Sequence, residues 1–228
     1  MLTKTEYTVD LDLIEQAITQ LPNFENRIDL NVPTGDFFYN KWIISPEFKG
    51  TVWEEILNTL PIDIGQARLM KLDPEHCYRS HADADDRYHL NLLGDKSFLV
   101  DLDSGKMFPT EKDNTWYLMN AGKRHSAVNF GGKTRIQLVI RKLMTRGDLL
   151  SPNNVTISLT EAIPNFRYIF DDVFSPWINE KNKLGHIDNF HLPDQTTVSF
   201  TTEGVLVQEL KTICPQGFTI KHANKILG

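Results

Sequence analysis

Seven histidines are spread along the 228 residues: His76, His81, His89, His125, His186, His191 and His222. Taken singly, each is an ordinary polar side chain, and only spacing separates them. His81-Ala82-Asp83 sets two ligand-type side chains two residues apart. In extended backbone, residues i and i+2 project to the same side, so both can reach one metal ion. His125 follows 44 positions after His81 (125 − 81), enough chain for several antiparallel strands to bring it back alongside. Two imidazoles and one carboxylate on one face of a metal leave the opposite face open. That donor set suits non-haem Fe(II), whose open positions take a cosubstrate and then O2.

His-x-Asp alone is weak, and the chain carries a second copy at His186-Ile187-Asp188. The first copy is distinguished by Arg135, ten positions past His125 (135 − 125). A keto acid chelating the metal, such as 2-oxoglutarate, needs a fixed cation for its remote carboxylate. Arginine suits that role because its planar fork binds a carboxylate bidentately. The second copy is followed by His191 and His222, and no arginine comes after either.

These residues need a frame. Six short stretches read as strands: Gly65–Leu72, Arg87–Leu93, Ser97–Leu102, Thr115–Met119, Ser126–Phe130 and Thr134–Lys142. Turn residues such as Gly94-Asp95, Asn120-Ala121-Gly122 and Gly131-Gly132 separate them, the pattern of an antiparallel barrel or sandwich. Residues 9–21 and 51–60 carry apolar positions at helical spacing and end before Pro22 and Pro61, as two helices would. Beyond about Arg146 the character changes, with Pro152, Pro164, Pro176 and Pro193 and an aromatic run through Phe166–Trp177. A hairpin is expected at Thr196–Val207 across Gly204. The organisation expected is residues 1–146 as core with N-terminal helices, and 147–228 as an appendage packed on it.

The composition is that of a globular protein, 40% hydrophobic and 24% charged with a formal net charge of -6. Without a basic tract to neutralise phosphates, a nucleic-acid partner is not expected. Neither a signal core nor a stretch of transmembrane length is visible, and Cys77 and Cys214 sit in no disulfide framework. A cytoplasmic, reduced protein with no membrane association is the expectation.

The runs His125-Ser126-Ala127-Val128-Asn129 and Arg135-Ile136-Gln137-Leu138-Val139, with the joint spacing of His81, Asp83, His125 and Arg135, resemble a known family. It is the aspartyl/asparaginyl β-hydroxylase branch of the Fe(II)/2-oxoglutarate oxygenases, which includes free-proline hydroxylases. The resemblance spans roughly Gly65 to Arg141. It implies a mainly β fold with flanking helices and a double-stranded β-helix (jelly-roll, cupin-like) core. It implies Fe(II), 2-oxoglutarate and O2, with hydroxylation of an amino acid, peptidyl residue or small metabolite and release of succinate and CO2. Arg87-Tyr88-His89-Leu90 looks like the family's strand after the His-x-Asp turn, whose Arg and His help bind the cosubstrate carboxylate. By that resemblance Arg87 and His89 join Arg135, and the residues themselves leave open whether the pair meets cosubstrate or substrate. Some peptidyl-aspartyl hydroxylases lack the metal-binding acid, whereas Asp83 completes the triad here.

Other residues receive blander readings. Asp85 and Asp86 are expected as solvated loop acids, Trp116, Tyr117 and Phe98 as core, and Cys77 as a packing residue. The rival to an oxygenase is a cupin-like metal-binding or isomerase protein, which would keep the histidines and have no need of Arg135 at that spacing.

Overall fold

The computed structural model describes residues 1–147, 153–159 and 166–224. In chain order the elements begin with β1 (Leu2–Thr8), α1 (Leu11–Thr19), β2 (Arg27–Asp29), β3 (Asn31–Pro33), β4 (Trp42–Ile44) and α2 (Val52–Leu57). Then come β5 (Ile64–Leu72), β6 (Arg87–Leu93), β7 (Ser97–Asp101), β8 (Lys106–Pro109), β9 (Thr115–Met119), β10 (His125–Asn129) and β11 (Arg135–Lys142). The rest is β12 (Asn153–Leu159), α3 (Phe166–Ile169), a π-helical turn (Phe170–Phe174), α4 (Ser175–Lys183), β13 (Ile187–His191), β14 (Thr197–Thr202), α5 (Gly204–Ile213) and β15 (Phe218–Asn224). The chain divides into two compact units: Met1–His81 with Asp85–Leu143, and Ala82–Ala84 with Met144–Gly228.

The first unit holds the jelly roll. Its larger sheet runs β1-β9-β6-β11-β5-β2 and its smaller sheet β10-β7-β8, with every pairing antiparallel. Bridges Cys77↔Val128 and His81↔His125 add residues 77–81 to the free edge of β10. Followed from β5, the chain visits the larger sheet, the smaller one at 77–81, the larger at β6 and the smaller at β7 and β8. It then returns to the larger at β9, the smaller at β10 and the larger at β11. Eight strands alternating in this way between two facing sheets make a double-stranded β-helix.

The central strands β6 and β11 of the larger sheet are buried on both faces, and the two faces differ. Tyr88, Leu90 and Leu92 of β6 and Ile136, Leu138 and Ile140 of β11 join Ala67 and Leu69 in one core with Val52, Trp53 and Ile56 of α2 and Ala17 of α1. The helices are therefore placed by an apolar face turned outward from the roll. Asp10 caps α1 by accepting from the Asp12 N–H (2.8 Å), and Thr51 caps α2 by accepting from the Trp53 N–H (3.3 Å); such caps are worth about 1 kcal/mol each. The opposite face carries Arg87, His89, Asn91, Arg135 and Gln137, all buried. Leu72, Leu99, Met119, Ala121 and Ala127 form a smaller apolar cluster within the same unit. Trp116 is wholly buried core, as expected.

The second unit contains the antiparallel sheet β13-β14-β12-β15. The expected hairpin across Gly204 is not formed. Gly204 opens α5, whose Val207 and Leu210 are buried three residues apart, and β14 pairs instead with β12 and β13. The aromatic run is helical, with Phe166, Phe170, Phe174 and Trp177 buried. Among the described residues no helix is long and apolar enough to cross a membrane, and both cysteines are free thiols.

Candidate metal centre

His81 and His125 are opposed residues of an antiparallel pair. The His81 N–H donates to the His125 carbonyl (3.1 Å) and the His125 N–H to the His81 carbonyl (2.8 Å). Their side chains therefore stand side by side on one face, with ring centroids 4.4 Å apart. Nδ1 of His81 lies 2.9 Å from the Arg79 carbonyl, and Nδ1 of His125 lies 2.7 Å from the Lys123 carbonyl. A carbonyl can only accept, so each Nδ1 carries the proton and each Nε2 keeps its lone pair. This is the way metal-ligating histidines are commonly oriented by an outer partner. With Asp83, the three residues bring ligand atoms that all lie within 4.8 Å of one another. Donors on one face of an ion at about 2.0–2.2 Å lie roughly 3 Å apart, so the set suits an ion in kind and its side chains would draw together to hold one.

Arg135 sits on β11 opposite Leu72 of β5 and is 3% exposed. Its Nη2 donates to Gln137 Oε1, while Nε and Nη1 have no hydrogen-bond partner among the described residues. Burial lowers its pKa to about 10, with the neighbouring Tyr78 working the other way, so the group is still a cation at neutral pH. Gly94 lets the β6–β7 turn lie against it. The φ of Gly94 is +125°, and an added Cβ would stand 3.1 Å from Arg135 Cα and 3.2 Å from its Cβ.

His89 shares this face, opposite Val139 of β11 and Tyr117 of β9. Burial lowers its pKa to about 3, and the charges of Arg135, His125 and Arg87 push the same way. The Gln137 carboxamide beside the ring is a weaker counterweight, and neither ring nitrogen has a partner in hydrogen-bond geometry. His89 is thus a neutral, buried imidazole within electrostatic reach of both Arg135 and His125.

Arg87 is engaged differently. Its Nη1 pairs with Asp85 Oδ1 and donates to the Asp85 carbonyl at 2.8 Å. The other oxygen of Asp85 accepts from Arg141 Nε (2.7 Å) and Nη2 (2.6 Å). Asp85 is therefore a buried bridge between two arginines, and not the solvated acid expected from its loop position. Asp86 is likewise buried, accepting from the Ala121 N–H at 3.2 Å. Two consecutive acids read as loop solvation only until their partners are known, and Arg141, which pairs with Asp85, comes from a strand 56 residues on. Cys77 is exposed, because its bridge to Val128 sets it on the outward side of the smaller sheet and not in the packing.

Three residues near Arg135 carry no sequence signal of their own. Tyr78 is part-buried and donates to the Lys71 carbonyl (3.1 Å). Asn91 and Gln137 are buried amides joined by a hydrogen bond. Polar residues inside a strand at the same parity as Arg135 were the available hint.

No protein-family model matches this chain, and no curated protein matches it. Among solved structures, a cupin domain from Bordetella pertussis Tohama I is similar over 52% of this chain and 97% of its own, at 9% identity and a TM-score of 0.29. A prolyl-4-hydroxylase from Pseudomonas putida is similar over 61% of this chain and 90% of its own, at 13% identity and a TM-score of 0.40. The jelly-roll assignment rests on the strand order and bridges described above.

Proposed function

We propose that this chain is a non-haem Fe(II)- and 2-oxoglutarate-dependent dioxygenase that hydroxylates an amino acid, a peptidyl residue or a small metabolite. The observation that carries this reading is a pairing. A two-histidine, one-carboxylate donor set occurs together with a buried guanidinium that lacks a carboxylate partner among the described residues. A jelly roll that only bound metal would have no reason to keep such a cation, because an unpaired buried charge is costly.

In this reading His81, Asp83 and His125 hold the metal. When bound, Fe(II) supplies O2 activation coupled to conversion of 2-oxoglutarate to succinate and CO2. The protein's own part is placement. The Arg79 and Lys123 carbonyls hold the two imidazoles with Nε2 forward. Arg135 receives the remote carboxylate of the cosubstrate, and His89, neutral at working pH, offers one donor and one acceptor without adding charge. The buried face excludes water, which strengthens each of these contacts.

The test is a substrate screen that follows succinate in the presence of Fe(II), 2-oxoglutarate and O2, alongside anaerobic titration of Fe(II)-loaded protein with 2-oxoglutarate. Saturable binding with a metal-to-ligand charge-transfer band, and O2-dependent succinate, are expected. Absence of both would sink the proposal.

A further inference from the structure

The amide at Gln137 is oriented from a distance. Asn91 Nδ2 donates to the Glu111 carbonyl at 2.9 Å, and a backbone carbonyl only accepts. Asn91 must therefore turn its Oδ1 the other way, where it accepts from Gln137 Nε2. With Nε2 committed, Gln137 has only Oε1 left for Arg135 Nη2. The chain Arg135, Gln137, Asn91, Glu111 carbonyl thus has one direction, and neither amide can flip without setting donor against donor. All three side chains are buried, so nothing from solvent competes.

We propose that Gln137 is the positioning residue for the anion-binding arginine: it fixes the Arg135 guanidinium with a neutral acceptor and leaves its charge unspent. This rests on the function proposed above and names the residue that makes the site selective for a keto acid with a second carboxylate. Charge is the deciding feature. A glutamate has the same length and would reach Arg135 equally well, but it would complete an ion pair and remove the reason to bind an external carboxylate. Glutamine holds the same geometry without neutralising it. The Asn91 contact ensures that an oxygen, and not an NH2, faces the cation.

The experiment compares two keto acids on Fe(II)-loaded, anaerobic protein: 2-oxoglutarate, and 2-oxopentanoate, which has a methyl group where the remote carboxylate would be. Dissociation constants are measured for the parent, Gln137→Met and Gln137→Glu, with thermal unfolding of each without ligand. The parent should prefer 2-oxoglutarate strongly. Gln137→Met should weaken 2-oxoglutarate roughly 10- to 100-fold, as for loss of one hydrogen bond to a charged group, and leave 2-oxopentanoate unchanged. Gln137→Glu should weaken 2-oxoglutarate at least as much, since Arg135 has gained an ion-pair partner, and leave 2-oxopentanoate nearly unchanged. Its carboxylate also faces Asn91 Oδ1 with no donor, so its unfolding temperature does not decide the question. A merely structural role would lower the affinities for both keto acids together, and that outcome overturns the proposal. So does a Gln137→Glu protein that keeps the parental preference, a result that stands even if the Met variant does not fold. A parent with no preference for 2-oxoglutarate would instead overturn the proposed function, and this inference with it.

Discussion

His81-Ala82-Asp83 and His186-Ile187-Asp188 are one pattern in two settings. The first lies where a strand-like segment pairs with β10, so His81 meets His125 and the three donors gather. In the second, His186 Nδ1 lies 3.2 Å from Glu203, and Asp188 lies 3.4 Å from Arg146. Each residue of the second copy already has an oppositely charged or hydrogen-bonding neighbour, and they do not act on a common point. A left-handed Asn189 and a register shift between Asp188 and His191 follow immediately, so the strand does not run on regularly from Asp188 to His191. Among the described residues, only the first copy assembles a third ligand. A tripeptide does not make a centre; the strand that returns to it does.

The two copies should differ most at the acid. Asp83→Ala should reduce retention of Fe(II) by more than about 100-fold, beyond the loss typical of removing an outer-shell partner. Asp188→Ala should leave retention unchanged. Metal content after desalting decides it, and equal loss in both variants would mean that the 81–83 pair is no more a ligand set than the 186–188 pair.

Next in size is Arg135→Ala, which should leave Fe(II) bound and weaken 2-oxoglutarate by about 2–5 kcal/mol, or roughly 30- to several-thousand-fold. Arg135→Lys should recover only part, since an ammonium lacks the planar fork. The same unpaired burial predicts that Arg135→Met makes the ligand-free protein more stable, as replacing a buried ionic group by an apolar one often does. Thermal unfolding without ligand checks this, and a destabilised Met variant would show that Arg135 is already satisfied.

Much of this site was legible because a period-2 strand announces its own faces. In β6 and β11 the apolar residues mark the face against α1 and α2, so the polar ones at the other parity had to lie on the opposite face. The helix expectations at 9–21 and 51–60 found α1 and α2 in shorter form, ended by local caps that a sequence suggests only approximately. β1 stayed hidden because Thr3-Lys4-Thr5-Glu6 shows no apolar alternation; its place depends on pairing with β9, more than a hundred residues away. Asp85 failed for the same reason in reverse, since its burial depends on Arg141. Gly204 failed because glycine marks turns and helix starts alike, and only the pairing of β14 with β12 and β13 decides between them. Local pattern was readable, and a distant partner was readable only where ligand-type residues marked it, as His125 does for His81.

A smaller effect separates buried His89 from the other histidines. Its pKa of about 3 in the folded protein lies below the ordinary value of 6.5, so between these values the unfolded chain binds more protons than the folded one. Folding stability therefore falls as pH drops from about 6.5 toward 3. His89→Leu should remove that part of the slope in denaturant midpoints measured across the range. An unchanged slope would place the titrating groups elsewhere.

The smallest expected effect tests the second copy on its own terms. The Arg146 side chain is 52% exposed and that of Asp188 is 22% exposed, with 3.4 Å between them. A pair so open to water is screened by salt and pays side-chain entropy, and such pairs are worth about 0–1 kcal/mol. Asp188→Asn keeps the side chain's size and an acceptor for the Asn189 N–H, which Asp188 Oδ1 receives at 2.8 Å. The substitution should therefore shift stability by less than about 1 kcal/mol, with the shift vanishing in high salt as exposed ion pairs do. Denaturant midpoints at low and high ionic strength measure it. A loss several times larger, insensitive to salt, would show that Asp188 holds something stronger than an exposed arginine, and the contrast between the two His-x-Asp copies would have to be redrawn.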